Sequence, residues 1–74
     1  MQRYKNLGGN SNIAGYSIGD NYIDVQFIEG KIYRYSYQSA GVVKVEEMKR
    51  LALQGFGLNS YIMHKAKTDY EHKY

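Results

Sequence analysis

From Tyr22 to Phe27 the chain alternates strictly, with Ile23, Val25 and Phe27 on one side of an extended backbone and Asp24 and Gln26 on the other. That period of two predicts a strand with one buried face. A second alternating run, Lys31-Ile32-Tyr33-Arg34-Tyr35-Ser36-Tyr37, follows across Ile28-Glu29-Gly30. The length of that connection decides which side chains share a face. A two-residue loop of Glu29-Gly30 would set Val25 opposite Arg34 and turn the tyrosines to the polar side. A three-residue loop with Gly30 left-handed in a G1 bulge instead pairs Val25 with Tyr33, Ile23 with Tyr35 and Asp24 with Arg34. The second register gathers the apolar residues, so it is the one expected. It leaves Asp24 and Arg34 as an outer-face ion pair worth a few tenths of a kcal/mol when exposed. Upstream, Asn12 to Ile18 reads as a further strand weakened by Gly15, and Gly19-Asp20-Asn21 ends it in a turn.

After Tyr37 the apolar spacing lengthens to three and four through Val42, Val45, Met48, Leu51 and Ala52, which predicts an amphipathic helix over about 40–54. Ser39 is its expected N-cap, Glu46 and Arg50 are spaced to pair one turn apart, and Gly55 is placed to close it in a left-handed C-cap. A second short helix fits Ser60 to about Thr68 with Asn59 as cap. Residues 1–11, with Gly8-Gly9-Asn10-Ser11, read as a flexible lead-in, and Asp69 to Tyr74 as a fraying tail. The expected fold is therefore α+β, a three-stranded antiparallel β-meander followed by two short C-terminal helices packed on one face. It forms one domain over residues 1–74 with its core in about 10–68.

Seventy-four residues without cysteine can build only a thin core and no disulfide or thiolate metal site, so a homo-oligomer that buries a shared interface is an expected partner state. The polar N-terminus and the lack of a long apolar run suggest a soluble, cytoplasmic protein with no membrane partner. Ten Lys/Arg against seven Asp/Glu give a net charge of +3, which helps a polyanionic ligand without requiring one. Nine tyrosines with neither tryptophan nor proline set the chain apart, because tyrosine joins a large apolar ring to a hydroxyl that can bond a partner.

Catalysis is not expected. The two histidines, His64 and His72, are unaccompanied by paired carboxylates, a nucleophile elbow or a phosphate loop. His64, Asp69 and His72 match no tetrahedral metal spacing, so neither a metal nor a cofactor is expected. Tyr33, Tyr35 and Tyr37 at alternate positions resemble the aromatic ladders on which bases stack, but the chosen register turns that face to the core. Tyr16, Tyr22 and Tyr61 are then the expected exposed aromatics. Basic residues at 3, 5, 31, 34, 44, 49, 50, 65 and 67 are spread along the chain. Were the second helix to lie beside the first strand, Lys65, Arg34 and the amides near Ser11-Asn12 would converge on an anion.

Three ordered signals, Ser11-Asn12-Ile13, then Val25-Gln26-Phe27-x-x-Gly30-Lys31-x-Tyr33-x-Tyr35, then Gly55-x-x-Leu58-Asn59-x-x-Ile62, resemble the KTSC domain. That family is named for a short C-terminal domain of lysyl-tRNA synthetase-like proteins and also occurs as small free-standing bacterial and phage proteins. The resemblance covers about residues 10–66 and implies a β-meander with C-terminal helices and a role in binding RNA or another nucleic acid. The family commonly shows a proline after the Y-x-Y block, where this chain reads Gln38-Ser39-Ala40-Gly41. It also usually has a basic residue after the isoleucine matched by Ile62, where this chain has Met63, so that phosphate contact is either missing or taken over by Lys65. The leading expectation is a non-enzymatic module for nucleic acid or a nucleotide, using Ser11, Asn12, Tyr16, Arg34, Asn59 and Lys65 around one edge of the sheet. The alternative is a small phage-type inhibitor that binds a host defence protein or sequesters a nucleotide second messenger as an oligomer; small size and abundant tyrosine motivate it.

Overall fold

The computed structural model describes residues 1–74 as an antiparallel sheet of five strands with helices on one of its faces. In chain order these are β1 (Gln2–Arg3), β2 (Ile13–Ile18), β3 (Tyr22–Phe27), β4 (Ile32–Ser36), helices α1 (Tyr37–Ala40), α2 (Val42–Gln54) and α3 (Leu58–Tyr61), a π-helical turn over Ile62–Ala66, and β5 (His72–Lys73). The spatial order of the strands is their sequence order. No helix is long and apolar enough to cross a membrane.

The β3–β4 register is the one the bulged connection predicts: Val25 lies opposite Tyr33, Ile23 opposite Tyr35 and Asp24 opposite Arg34. Gly30 takes φ +106°, its N–H donates to the Phe27 carbonyl, and the Phe27 N–H reaches Lys31 across the three residues between. The alternation then sends Ile23, Val25 and Tyr35 inward, where they join Ile13, Tyr16, Val45, Met48, Leu51, Ala52, Leu58, Ile62 and Ala66 in one core. In β2 the ladder shifts between Ile13 and Gly15, which returns Ile13 to the core face. Gly15 is required there for space, since a Cβ would stand 2.7 Å from the Gln2 carbonyl oxygen of β1.

Both ends of the chain correct the sequence-based expectation. The expected flexible lead-in contributes β1, which pairs with β2, and Tyr4 is 4% exposed with its hydroxyl accepting the Leu58 N–H. The expected fraying tail contributes β5, whose flanking amides at Glu71 and Tyr74 donate to the Arg34 and Ile32 carbonyls of β4. Tyr70 packs against the core. A meander of three strands is thus widened to five, because short polar strands without alternation can still satisfy edge amides.

The helices also begin elsewhere than expected. Ser36, not Ser39, is the first cap. Its hydroxyl accepts the Ser39 N–H while Ser39 Oγ accepts the Ser36 N–H, a reciprocal box that starts α1. Gly41, at φ 91° and ψ 153°, takes a conformation closed to other residues and splits α1 from α2. Gly55 ends α2 left-handed, as its position predicts, with its N–H bonded to the Leu51 carbonyl. Arg50 pairs with Glu47 and not with Glu46, which instead holds Lys49 and the Tyr37 hydroxyl. Asn59 lies inside α3, which is preceded by left-handed Gly57.

Candidate functional site

Where the β3–β4 hairpin meets the C-terminal helical segment, a cavity of about 570 Å³ opens, within the ordinary range for small-molecule sites. The hairpin supplies Phe27, Tyr33 and Tyr35 together with Ile28 and Glu29, α3 supplies Asn59, the π-helical turn supplies Met63, and Lys67, Thr68 and Tyr70 complete the wall. Asn12, at the entry to β2, closes it, tied in place by the Ile28 N–H donating to its carbonyl at 2.8 Å.

The aromatic wall is a chain of edge-to-face contacts. Phe27 and Tyr33 have centroids 5.3 Å apart at 83°, and Tyr33 and Tyr70 lie 4.9 Å apart at 86°. Tyr35 and Tyr70 meet at 6.5 Å. In this arrangement each ring fixes the next, so the faces that border the cavity are held in place before any ligand arrives. All three bordering rings of Phe27, Tyr33 and Tyr70 are half-buried, whereas Tyr35 behind them is 1% exposed, and burial pushes its hydroxyl well above the usual tyrosine range.

Asn12 and Asn59, both expected as ligand contacts, line this cavity together. Asn59 also lines a smaller polar hollow of about 190 Å³ with Ser11, Asn10, Ser60 and the glycines Gly8, Gly55 and Gly57. Three of the expected residues therefore meet around Asn59. Ser11 is partly committed to its own turn, its N–H donating to Asn6 Oδ1 at 3.0 Å and its hydroxyl accepting the Ile13 N–H at 3.2 Å.

The other three lie elsewhere. Tyr16, expected to be exposed, is 8% exposed in the core beside a separate hollow with Met1, Ile18 and Leu53. Arg34 alternates with Tyr33 and Tyr35 and so stands on the sheet face away from the helices. There it forms two bonds to the Asp24 carboxylate at 2.8 and 3.0 Å and lies 3.9 Å from the centre of the Tyr22 ring. The hydrogen bond to Asp24 raises the Arg34 pKa further, so its charge is permanent and already paired. Asp24 is 8% exposed, a correction to the solvated pair expected. Tyr22 is half-buried under the same guanidinium and Tyr61 half-buried against the core. Lys65 borders a further hollow with Glu47, Phe56, Tyr61 and His64. The expected convergence of Lys65, Arg34 and the Ser11-Asn12 amides on one anion is therefore not formed, because the sheet lies between Arg34 and the helices.

Residues that sequence reasoning missed are Phe27, Met63, Lys67, Thr68 and Tyr70. Tyr33 and Tyr35 were visible as members of a ladder with Tyr37, but Tyr37 opens α1 instead, and nothing in a tail read as frayed pointed to Tyr70 as the ring that meets both. Away from the cavity, the Tyr37 hydroxyl donates to Glu46 Oε2 at 2.6 Å, which raises the Tyr37 pKa and, with Lys49, holds the Glu46 carboxyl below its usual range.

Comparison with protein-family models, with curated proteins and with solved structures finds no match to this chain.

Proposed function

We propose that the chain is a non-enzymatic binding module that takes a nucleobase, of a free nucleotide or of single-stranded RNA, into the cavity between the β3–β4 hairpin and the C-terminal helical segment. The observation that carries this reading is the fixed aromatic wall of Phe27, Tyr33 and Tyr70 in one cavity with Asn12 and Asn59. Stacking on aromatic rings contributes about 1–3 kcal/mol per base, and a carboxamide offers both a donor and an acceptor to a base edge. The cavity volume suits one base with its sugar better than an extended strand, so the unit recognised is a single nucleotide. The resemblance to the KTSC domain, with Ser11-Asn12 and Asn59 among its matched positions, agrees with this use.

Fluorescence titration with mononucleotides and with short single-stranded RNA tests the reading. Asn59→Ala and Tyr33→Leu should each weaken binding by about tenfold or more while the protein still unfolds cooperatively. Failure of every nucleotide and RNA to bind at low salt removes it.

A second reading, a small inhibitor that binds a host defence protein or gathers a nucleotide messenger as an oligomer, draws on a different observation. Met1, Ile18 and Leu53 line one hollow and are 59%, 40% and 58% exposed, an apolar cluster of the kind that interfaces cover. Sedimentation of the pure protein and affinity capture from a nuclease-treated bacterial lysate separate the two readings.

A further inference from the structure

One lysine lines the cavity and another stands against two of its aromatic rings, and neither forms an ion pair with an acid. Lys67 lines the cavity beside Thr68. Lys73, from β5, places Nζ 5.8 Å from the centre of the Tyr33 ring and 5.9 Å from that of Tyr70, the two rings that form the wall. The acids nearby are otherwise engaged or single: Asp69 is bonded to Lys44 at 2.6 Å, and Glu29 is the one carboxylate lining the cavity. Elsewhere in the fold Lys49, Arg34 and Arg50 are paired with Glu46, Asp24 and Glu47. Lys67, in the cavity wall, and Lys73, beside the Tyr33 and Tyr70 rings, are thus cations without an ion-pair partner.

We propose that Lys67 and Lys73 hold a terminal phosphomonoester, so that the ligand of this cavity is a nucleotide unit carrying a dianionic phosphate and not an internal phosphodiester. This rests on the base-binding reading above and adds the chemistry of the second half of the ligand. A phosphomonoester carries close to two negative charges at pH 7 because its second pKa is about 6, whereas a diester carries one. Two ammonium groups, each with three donors, match the dianion in charge and in its three free oxygens. The Thr68 hydroxyl lies on the same wall and can donate a further bond. Lys67 caps the carbonyl end of the helical segment, which by itself repels an anion, so the phosphate site depends on both lysines. The base stacks against Tyr33 and Tyr70, and its phosphate meets Lys67 of the cavity wall and Lys73 beside those rings. A free mononucleotide and the phosphorylated end of an RNA strand share this chemistry.

Five ligands with one base separate the possibilities: the nucleoside, its 3′,5′-cyclic monophosphate, its 5′-monophosphate, and a short RNA with and without a 5′-phosphate. Isothermal titration at low salt should rank the 5′-monophosphate about tenfold above the cyclic diester and further above the nucleoside, with the advantage shrinking as pH falls through 6. Lys67→Gln and Lys73→Gln should each reduce that tenfold ratio to about threefold or less. Arg3→Gln, on β1 at the far edge of the sheet, lowers the net charge equally and should leave the ratio intact. If RNA with a 5′-phosphate also binds about tenfold better than RNA without one, strand ends are a source of the ligand; if it does not, free mononucleotide is the source. Equal affinity for the cyclic and open phosphates, or a ratio insensitive to both lysine changes, overturns the phosphate site and leaves base binding standing. Absence of binding by all five ligands overturns both.

Discussion

Replacing Arg34 by Met removes one half of an ion pair whose other half is nearly sealed. The side chain of Asp24 is 12% exposed and that of Arg34 30%, and the two share bonds of 2.8 and 3.0 Å in a fork geometry over the Tyr22 ring. A fully exposed pair contributes about 0.2–1 kcal/mol, and stripping a fully buried charge of its partner costs about 3–5 kcal/mol. With one partner sheltered and the other about a third open, the cost of Arg34→Met falls between these limits, at about 2 kcal/mol. For a domain of this size that lowers Tm by about 8–16 °C. Asp24→Asn combined with Arg34→Met should recover about half the loss, because the uncompensated carboxylate is then gone. Urea unfolding of the two single variants and the double variant at low salt gives the coupling directly. A single-variant loss below about 0.5 kcal/mol would show that the pair behaves as a solvated surface contact and that the outer face does not shield it.

Tyr35→Phe tests the buried hydroxyl. Burial raises its folded pKa above the unfolded value near 10, so its contribution is complete below pH 10 and is lost as pH climbs from there toward the higher folded value, by at most about 1.4 kcal/mol per pH unit. The variant should flatten the alkaline fall in stability measured by denaturant titration from pH 9 upward, and an unchanged slope would contradict the burial argument. Tyr4→Phe leaves the Leu58 amide without its acceptor and should cost about 1–2 kcal/mol, with faster hydrogen exchange at that amide; unaltered exchange would refute the bond. Gly55→Ala forces a Cβ to 2.6 Å from Lys5 Cβ at φ +83° and should destabilise by about 1–2 kcal/mol in urea, while a neutral result would show that the β1–β2 connection yields.

The part of the fold legible in the sequence was the part where one physical choice excluded its rival. Ile23, Val25 and Phe27 could share a face with Tyr33 and Tyr35 only across a bulged three-residue connection, and the pairing follows that logic residue by residue. Helix ends were read less well because several residues compete for each cap. Ser36 and Ser39 are both good caps, and the choice fell to Gly41, whose break after Ala40 gives the reciprocal serine box its own turn of helix. The edge strands β1 and β5 carry two residues each, too few to show alternation, and they owe their place to tertiary pairing with β2 and β4. A sequence pattern records burial, and these strands bury little: Gln2, Arg3, His72 and Lys73 are all exposed.

That same weakness explains why half of the candidate site stayed hidden. Asn12 and Asn59 could be singled out because each sits beside a glycine turn or a helix start, where side-chain amides have work to do. The wall of the cavity they share, however, is completed by Tyr70, which the segment leading into β5 brings alongside Tyr33. In addition, Ile62–Ala66 winds as a π-helical turn in place of the α-helix expected through Thr68. A π turn carries an extra residue and so changes the direction in which every later side chain points, and such turns occur often at functional sites. Met63, Lys67 and Thr68 line the cavity within and after that turn. Helical periodicity applied through residue 68 assigns them to a solvated face, and they are exposed, so no burial pattern marks them as a cavity wall. Arg34 fails in the opposite sense. Its strand phase was correct, and that phase alone, with Tyr33 and Tyr35 turned to the helices, excluded it from any site built on their side of the sheet.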